Sequence, residues 1–323
     1  MSPSADTSSI YDAEAWLPDL AAPAARALGE DARVEGMTLL CEPKPLDDDT
    51  AKFLIRDRRG RPSAVLLGSP TRYPDAVEQY IGRSRAAAKA LGPELGRVIL
   101  SPLLEGRASG RSYAILPYNE PMSRNRLVNR LQRAVLTRPL LSWLRRATSA
   151  TKSGPIAPGS DPALTRSLEH VAGVPGMIAD ARAAAERALR RASSGEWRPR
   201  RVLVHGDFWI GNLLIKPVAD AGRRPGDRLT IIDWGGSRTD GAGMFDLLQF
   251  LGSIGAGPRT LRREVLAHCG TLDCDPADAY SHLALAMGEL GQTLNQFPME
   301  RYIELAGHHF RALRAALPEF AEG

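Results

Sequence analysis

The stretch VLVHGDFWIGNLLI, residues 202–215, decides how this chain is read. Two apolar runs, VLV and NLLI, flank a polar turn that opens with His205-Gly206-Asp207 and reaches Asn212 five residues after the aspartate. Runs of this composition predict short buried strands. Asp207 and Asn212 therefore fall at strand ends, on the loop between them. Taken singly, each is also a common turn residue that satisfies its own backbone. A second stretch shifts the balance: LTIIDWGG, residues 229–236, is another strand run ending in an acid, with Asp233 26 residues after Asp207. That gap holds a loop, a strand, an exposed turn around VADAGRRPGDR and a return strand. Such a hairpin brings Asn212 and Asp233 together. An asparagine carbonyl and a carboxylate are hard oxygen donors, of the kind magnesium takes while keeping water and phosphate oxygens. A second carboxylate nearby can accept a hydroxyl proton. Phosphoryl transfer from a nucleotide requires this pairing of metal and base.

HGDFWIGN followed by IIDWGG resembles the catalytic and metal-binding loops of the aminoglycoside phosphotransferase and choline kinase-like branch of the protein-kinase-like fold. There His-Gly-Asp-x-x-x-x-Asn precedes Ile-Asp-Trp, which stands where protein kinases carry Asp-Phe-Gly. The resemblance implies Asp207 as catalytic base, His205 beside it as the organiser of the catalytic loop, and Asn212 and Asp233 as magnesium ligands. GMFDLLQF, residues 243–250, resembles the family's downstream segment, whose aspartate, here Asp246, braces the loop from a helix start. The motifs span about 202–250 and the coarse lobe order about 33–315. The implied fold is α+β and bilobal, with a small antiparallel-sheet N-lobe and a larger, mainly helical C-lobe. The implied cofactors are Mg2+ and ATP or GTP. The implied acceptor is a hydroxyl of a small molecule such as a sugar, an aminoglycoside-like compound or an amino alcohol. A non-catalytic member of the same fold, serving as a binding or regulatory module, is the alternative.

The small lobe departs from the family's pattern. Kinase-like enzymes carry a lysine on the third strand, paired to a helix glutamate. Here that strand is SAVLLGSP, with Leu67 or Gly68 in the lysine's place, and the helix glutamate is Glu78. The nearest replacement is Lys52, on the preceding strand TAKFLIRD. A hairpin turning at Arg58–Gly60 pairs Lys52 with Leu66, on the face of Gly68, resembling the with-no-lysine protein kinases. A solvated strand lysine is the plainer alternative. With Lys52 and Glu78, Pro117 and Tyr118 at the end of SYAILPY complete the nucleotide-contacting set. No glycine-rich phosphate loop is visible, since CEPKPLDDDTAKF fills that turn with Asp47 to Asp49, and GAGMFD replaces the usual Gly-Asp-Pro-x-x-Asp.

The rest of the chain fits two lobes. Its 323 residues suffice for them, and 43% hydrophobic with 24% charged residues is ordinary globular composition. Residues 1–32 read as an arm with a short helix near 13–27, 33–118 as the nucleotide-binding N-lobe and 119–323 as the C-lobe. YPDAVEQYIGRSRAAAKALG predicts a helix stopped at Gly92-Pro93, with strands RVILSPLLE and SYAILPY after it. RNRLVNRLQRAVLTRPLLSWLRRAT, residues 124–148, predicts basic helices interrupted at Pro139, followed by a loop over 151–163 and a helix over 179–192. Helices fill the C-terminal part. No signal segment or membrane span is evident, so a cytoplasmic protein is expected.

The cysteines, Cys41, Cys269 and Cys274, are odd in number, which argues against a disulfide framework. His268, Cys269, Cys274 and His282 lack a Cys-x-x-Cys pair and read as small helix side chains rather than a zinc site. The net charge of +5 rests on arginine, without any nucleic-acid-binding signature, so nucleic acid is not an expected partner. Glu289, Asn295, Glu300 and Glu304 are candidates for the acceptor pocket, or else solvated helix positions. Seven arginines between Arg124 and Arg146, with Trp143 as an aromatic anchor, read as a solvated face or as a surface meeting anionic membrane headgroups.

Overall fold

The computed structural model describes residues 13–28, 32–40, 50–216, 228–293 and 298–321. Its N-lobe is a five-stranded antiparallel sheet in the order β1-β2-β3-β5-β4, formed by β1 (Ala32–Leu39), β2 (Ala51–Asp57), β3 (Pro62–Gly68), β4 (Leu104–Ala108) and β5 (Arg111–Pro117). Alternate residues sort to its two faces. Phe53, Ile55, Ala64, Leu66, Tyr113 and Ile115 pack with Leu20 and Ala24 of helix α1 (Ala13–Leu28). Leu67, Ala114 and Leu116 pack with Val77 and Ile81 of helix α2 (Ala76–Leu95). Both faces are covered, which explains why SAVLLG and YAILP are continuously apolar rather than alternating. The segment expected as an arm thus supplies the helix that closes the outer face of the sheet.

The β2–β3 hairpin turns at 58–60, where Gly60 has φ 77° and donates to the Asp57 carbonyl at 2.8 Å. Its register differs from the expected one. Ser63 is an extra residue between the pairs Arg56↔Pro62 and Ile55↔Ala64, so Lys52 lies opposite Leu67 instead of Leu66. One bulged residue exchanges the face on which a neighbour lies. Lys52 therefore shares the α2 side of the sheet with Leu67, not the side of Gly68. RVILSPLLE is likewise not one strand. Val98 and Ile99 enter the C-lobe core, Ile99 makes a single parallel bridge to Ile231, and β4 starts only at Leu104, beyond Pro102. As expected, α2 breaks at Gly92, whose φ of 72° and ψ of 176° are non-helical.

The C-lobe is mainly helical: α3 (Arg126–Thr151), α4 (Pro162–Gly173), α5 (Ala179–Ser194), α6 (Phe245–Ser253), α7 (Pro258–Leu272), α8 (Asp278–Gly291) and α9 (Met299–Ala316). The α3 helix runs through Pro139 without interruption. A proline inside a helix costs about 3 kcal/mol. Leu136, Leu140, Leu141 and Leu144 are all buried around it, and at roughly 1.5–3 kcal/mol each they outweigh that cost. Between α5 and α6 the chain forms the short strands β7 (Arg201–Val204), β8 (Leu213–Ile215), β9 (Leu229–Ile231) and β10 (Arg238–Ala242), with β6 (Glu120–Pro121) pairing on β8. β7 pairs with β10, and β8 pairs with β9. Residues 217–227, which hold the turn VADAGRRPGD, lie outside the described residues.

Candidate active site

The loop after β7 is anchored from below by its own apolar residues. Phe208 is fully buried, 5.3 Å from Phe250 and 5.8 Å from Trp143 between ring centres. Trp234, from the loop after β9, packs edge-on against Trp143 and lies 4.6 Å from the His205 ring. Trp234 is therefore a packing residue. Trp209, next to Phe208 in sequence, turns the opposite way and stays 41% exposed, its indole lying over Gly211. A Cβ at Gly211 would sit 2.2 Å from that ring, so the glycine makes room for the tryptophan.

His205 fixes the turn through both ring nitrogens. Nε2 lies 2.9 Å from the Ile232 carbonyl, and Nδ1 accepts the Asp207 N–H at 3.2 Å. A carbonyl only accepts and an N–H only donates, so the proton is on Nε2 and the ring is neutral. Burial agrees, pushing its pKa down to about 4. Asp246, in the first turn of α6, accepts from the backbone N–H groups of His205 at 2.6 Å and Gly206 at 3.0 Å. Its burial raises its pKa to about 6 in spite of those two donors. Gly206 has φ 83°, and a Cβ there would meet the Gly236 carbonyl oxygen at 2.8 Å. The two loops thus touch through backbone at a position that tolerates no side chain.

The Asn212 amide donates to the carbonyl of Asp207 at 2.8 Å and to its Oδ2 at 2.9 Å. Its Oδ1 accepts no hydrogen bond among the described residues. The β8–β9 ladder sets Leu213 against Ile231, and the Asn212 carbonyl accepts from the Ile232 N–H at 2.9 Å, one residue before Asp233. Asp233 has a left-handed backbone, φ 69° and ψ 48°, uncommon for a residue other than glycine. Its N–H donates to the Tyr80 hydroxyl of α2 at 3.0 Å, while its exposed carboxylate accepts no hydrogen bond among the described residues. Burial raises the Asp207 pKa and the charge of Asp233 adds to the rise, against which Asn212, Trp209 and Gln249 favour the ionised form. The structure thus brings His205, Asp207, Asn212, Asp233 and Asp246 together.

The N-lobe candidates do not all join them. Glu78 is two-thirds exposed and binds Arg107 of β4 at 3.0 Å, together with Asp75. The side chains that α2 sends to the Asp233 loop are instead Tyr80 and Arg83, the latter donating to the Gly235 carbonyl. Neither stood out in the sequence, because a helix contact to a distant loop leaves no local pattern. Pro117 pairs with Ala64 at the end of β5, and the Tyr118 N–H donates to the Ser63 carbonyl at 3.2 Å. Proline has no N–H, so neither backbone position offers a free N–H to a nucleotide base. Asn119, beyond them, is buried and donates to Thr230 of β9 at 2.7 Å.

The acceptor candidates separate as well. Glu289 is buried, ion-paired to Arg201 and bonded to the Ala242 N–H at 3.2 Å. Arg201 also binds Asp161, the N-cap of α4, at 2.7 Å, so Glu289 belongs to a structural network. Glu300 and Glu304 are exposed on α9, and Asn295 lies outside the described residues. Among the described residues no three His, Cys, Asp or Glu side chains gather as a metal site, and no helix is long and apolar enough to cross a membrane.

No family model matches the chain, and none of the curated proteins does. Solved structures do. A thermostable mutant of aminoglycoside phosphotransferase APH(4)-Ia in its apo form aligns over 86% of this chain and 94% of its own, with a TM-score of 0.53 and 17% identity. A putative fructosamine-3-kinase from Haemophilus somnus 129PT aligns over 90% and 96%, with a TM-score of 0.50 and 13% identity. A choline/ethanolamine kinase family protein from Mesorhizobium loti aligns over 93% and 96%, with a TM-score of 0.47 and 17% identity. The fold is the bilobal, kinase-like one that the motifs led us to expect, and the resemblance drawn from them is to the same group of proteins.

Proposed function

We propose that this chain transfers the terminal phosphate of ATP or GTP to a hydroxyl of a small molecule. Asp207 is the base, and Asn212 and Asp233 are the residues that would hold Mg2+. The observation that carries this reading is how Asn212 is used. Both amide hydrogen bonds go to Asp207, which leaves its Oδ1 and the nearby Asp233 carboxylate without protein donors among the described residues. Two hard oxygens left unsatisfied beside a raised-pKa carboxylate suit a divalent cation, and a turn-forming role would have left no such pair. When bound, the ion would neutralise phosphate charge. The protein's own share is positional. Asp207 accepts the proton of the attacking hydroxyl as its oxygen bonds to the terminal phosphorus, while the bond from that phosphorus to the nucleoside diphosphate breaks. Lys52 belongs to the same reading: on the α2 side of the sheet, beside Leu67, its ammonium is the cation proposed to meet the phosphates.

The test is ADP formation with ATP and magnesium over a panel of sugars, aminocyclitols and amino alcohols. Turnover is expected with at least one of them. Asp207→Asn should then lower kcat by about 10²–10⁴-fold with little change in nucleotide KM. Equal turnover by that variant would remove Asp207 from its role. A binding module without turnover is the second reading, favoured by the absence of a lysine from β3 and by the engagement of Glu78 with Arg107. It predicts nucleotide binding and no ADP with any acceptor.

A further inference from the structure

The first half of α3 carries an apolar stripe that the fold does not use. Leu127 is 80% exposed, Leu131 66%, and Val128 and Val135 45% each. At about 100° per residue these four side chains fall within an arc of roughly 100° on one side of the helix. Leu136 and Leu140, which do enter the core, point to the other side. Arg126 and Arg130 run along one flank of the stripe, and Arg138 lies just past its end. The charge there is of one sign. Residues 121–160 contain seven arginines and one lysine and no acidic residue. Arg145, Arg146 and Lys152 are paired with Glu264, Glu94 and Asp273. Arg124, Arg126, Arg130, Arg133 and Arg138 make no ion pair among the described residues, and the buried Nε of Arg133 has no partner there.

We propose that this half of α3 is a docking surface for an anionic membrane, with Leu127, Val128, Leu131 and Val135 entering the lipid boundary and the exposed Arg124, Arg126, Arg130 and Arg138 meeting the headgroups. An apolar stripe edged by arginines is the arrangement that lies in a charged interface. A second copy of the chain fits poorly, because the helix has no carboxylate to meet the other copy's arginines. A polynucleotide would use the arginines and leave the leucines in water. The anchor expected at Trp143 is not part of the surface, since its indole donates to the Leu95 carbonyl at 3.1 Å and packs against Phe208. The helix begins shortly after β6, which pairs with β8, the strand that follows Asn212 directly. Docking would therefore hold the catalytic loop close to the interface.

The test is flotation of the full chain with vesicles of phosphatidylcholine alone or mixed with phosphatidylglycerol, and it reads partition independently of any phosphotransfer. The protein should rise with the anionic vesicles only, and added salt should release it. Leu127→Ser with Leu131→Ser should weaken partition by about tenfold or more, as should Arg126→Gln with Arg130→Gln. These exposed positions should leave the melting temperature unchanged. The proposal is overturned if the wild type stays unbound at low salt, or if the serine pair floats like the wild type. It is also overturned if duplex DNA binds at low salt independently of the leucines, or if the serine pair abolishes a concentration-dependent dimer.

Discussion

The two lobes contribute differently built halves to the candidate site. On the C-lobe side, from β7 to the start of α6, almost every polar group has a partner. His205 is held at both nitrogens, Asp246 at both oxygens and Asn212 at its amide. On the N-lobe side the expected pair is missing. Leu67 stands near the lysine position, Lys52 reaches the same face from the next strand, and Glu78 faces Arg107. The C-lobe half depends on a short contiguous stretch and two hairpin strands. The N-lobe half depends on strand register, which a single bulged residue changes. The first half is fixed by contiguous sequence, whereas the second changes with one inserted residue.

The largest effect that sharpens this contrast comes from Asp246. Its folded pKa of about 6 lies above the ordinary value of 3.8, so its contribution to stability is full below about pH 3.8 and is lost as pH rises through about 6. The loss amounts to about 3 kcal/mol. An asparagine in its place has no proton to lose over this range. The stability of the wild type relative to Asp246→Asn, measured by urea unfolding, should therefore fall by up to about 3 kcal/mol between about pH 4 and pH 7. A difference independent of pH would mean that Asp246 is not held raised by burial.

Gly206→Ala comes next. A left-handed alanine 2.8 Å from the Gly236 carbonyl oxygen should destabilise the protein by about 1–3 kcal/mol, again read by urea unfolding. An unchanged midpoint would show that the two loops are not in contact. The smallest effects separate the N-lobe residues from each other. Lys52→Ala should weaken nucleotide binding by about tenfold, the worth of one charge-assisted hydrogen bond. Glu78→Ala should leave it unchanged within about twofold, since an exposed pair contributes little. The reverse order, measured by calorimetry, would return Glu78 to the phosphate site and remove Lys52.

What was legible in the sequence follows from the same contrast. HGDxxxxN and IDW are contiguous, and their flanking runs predict strands whose pairing has few alternatives, so the gathering of Asp207, Asn212 and Asp233 could be anticipated. The Lys52 register could not, because Ser63 looks like any other strand residue until it bulges. Nor could Tyr80 and Arg83, which reach a loop some 150 residues away in sequence. The continuity of α3 through Pro139 was hidden too, since four leucines decide it and they read equally well as two shorter helices. RVILSPLLE has the composition of a strand, but its first residues are apolar because they enter the C-lobe core.

The measurement closest to the central claim is the melting temperature with ATP, with and without magnesium, for the wild type and Asp233→Asn. We expect the wild type to be raised only when both are present, and the variant to lose that rise. Indifference of the wild type to both, or an equal rise in the variant, would contradict the proposal that Asn212 and Asp233 share a cation beneath a nucleotide.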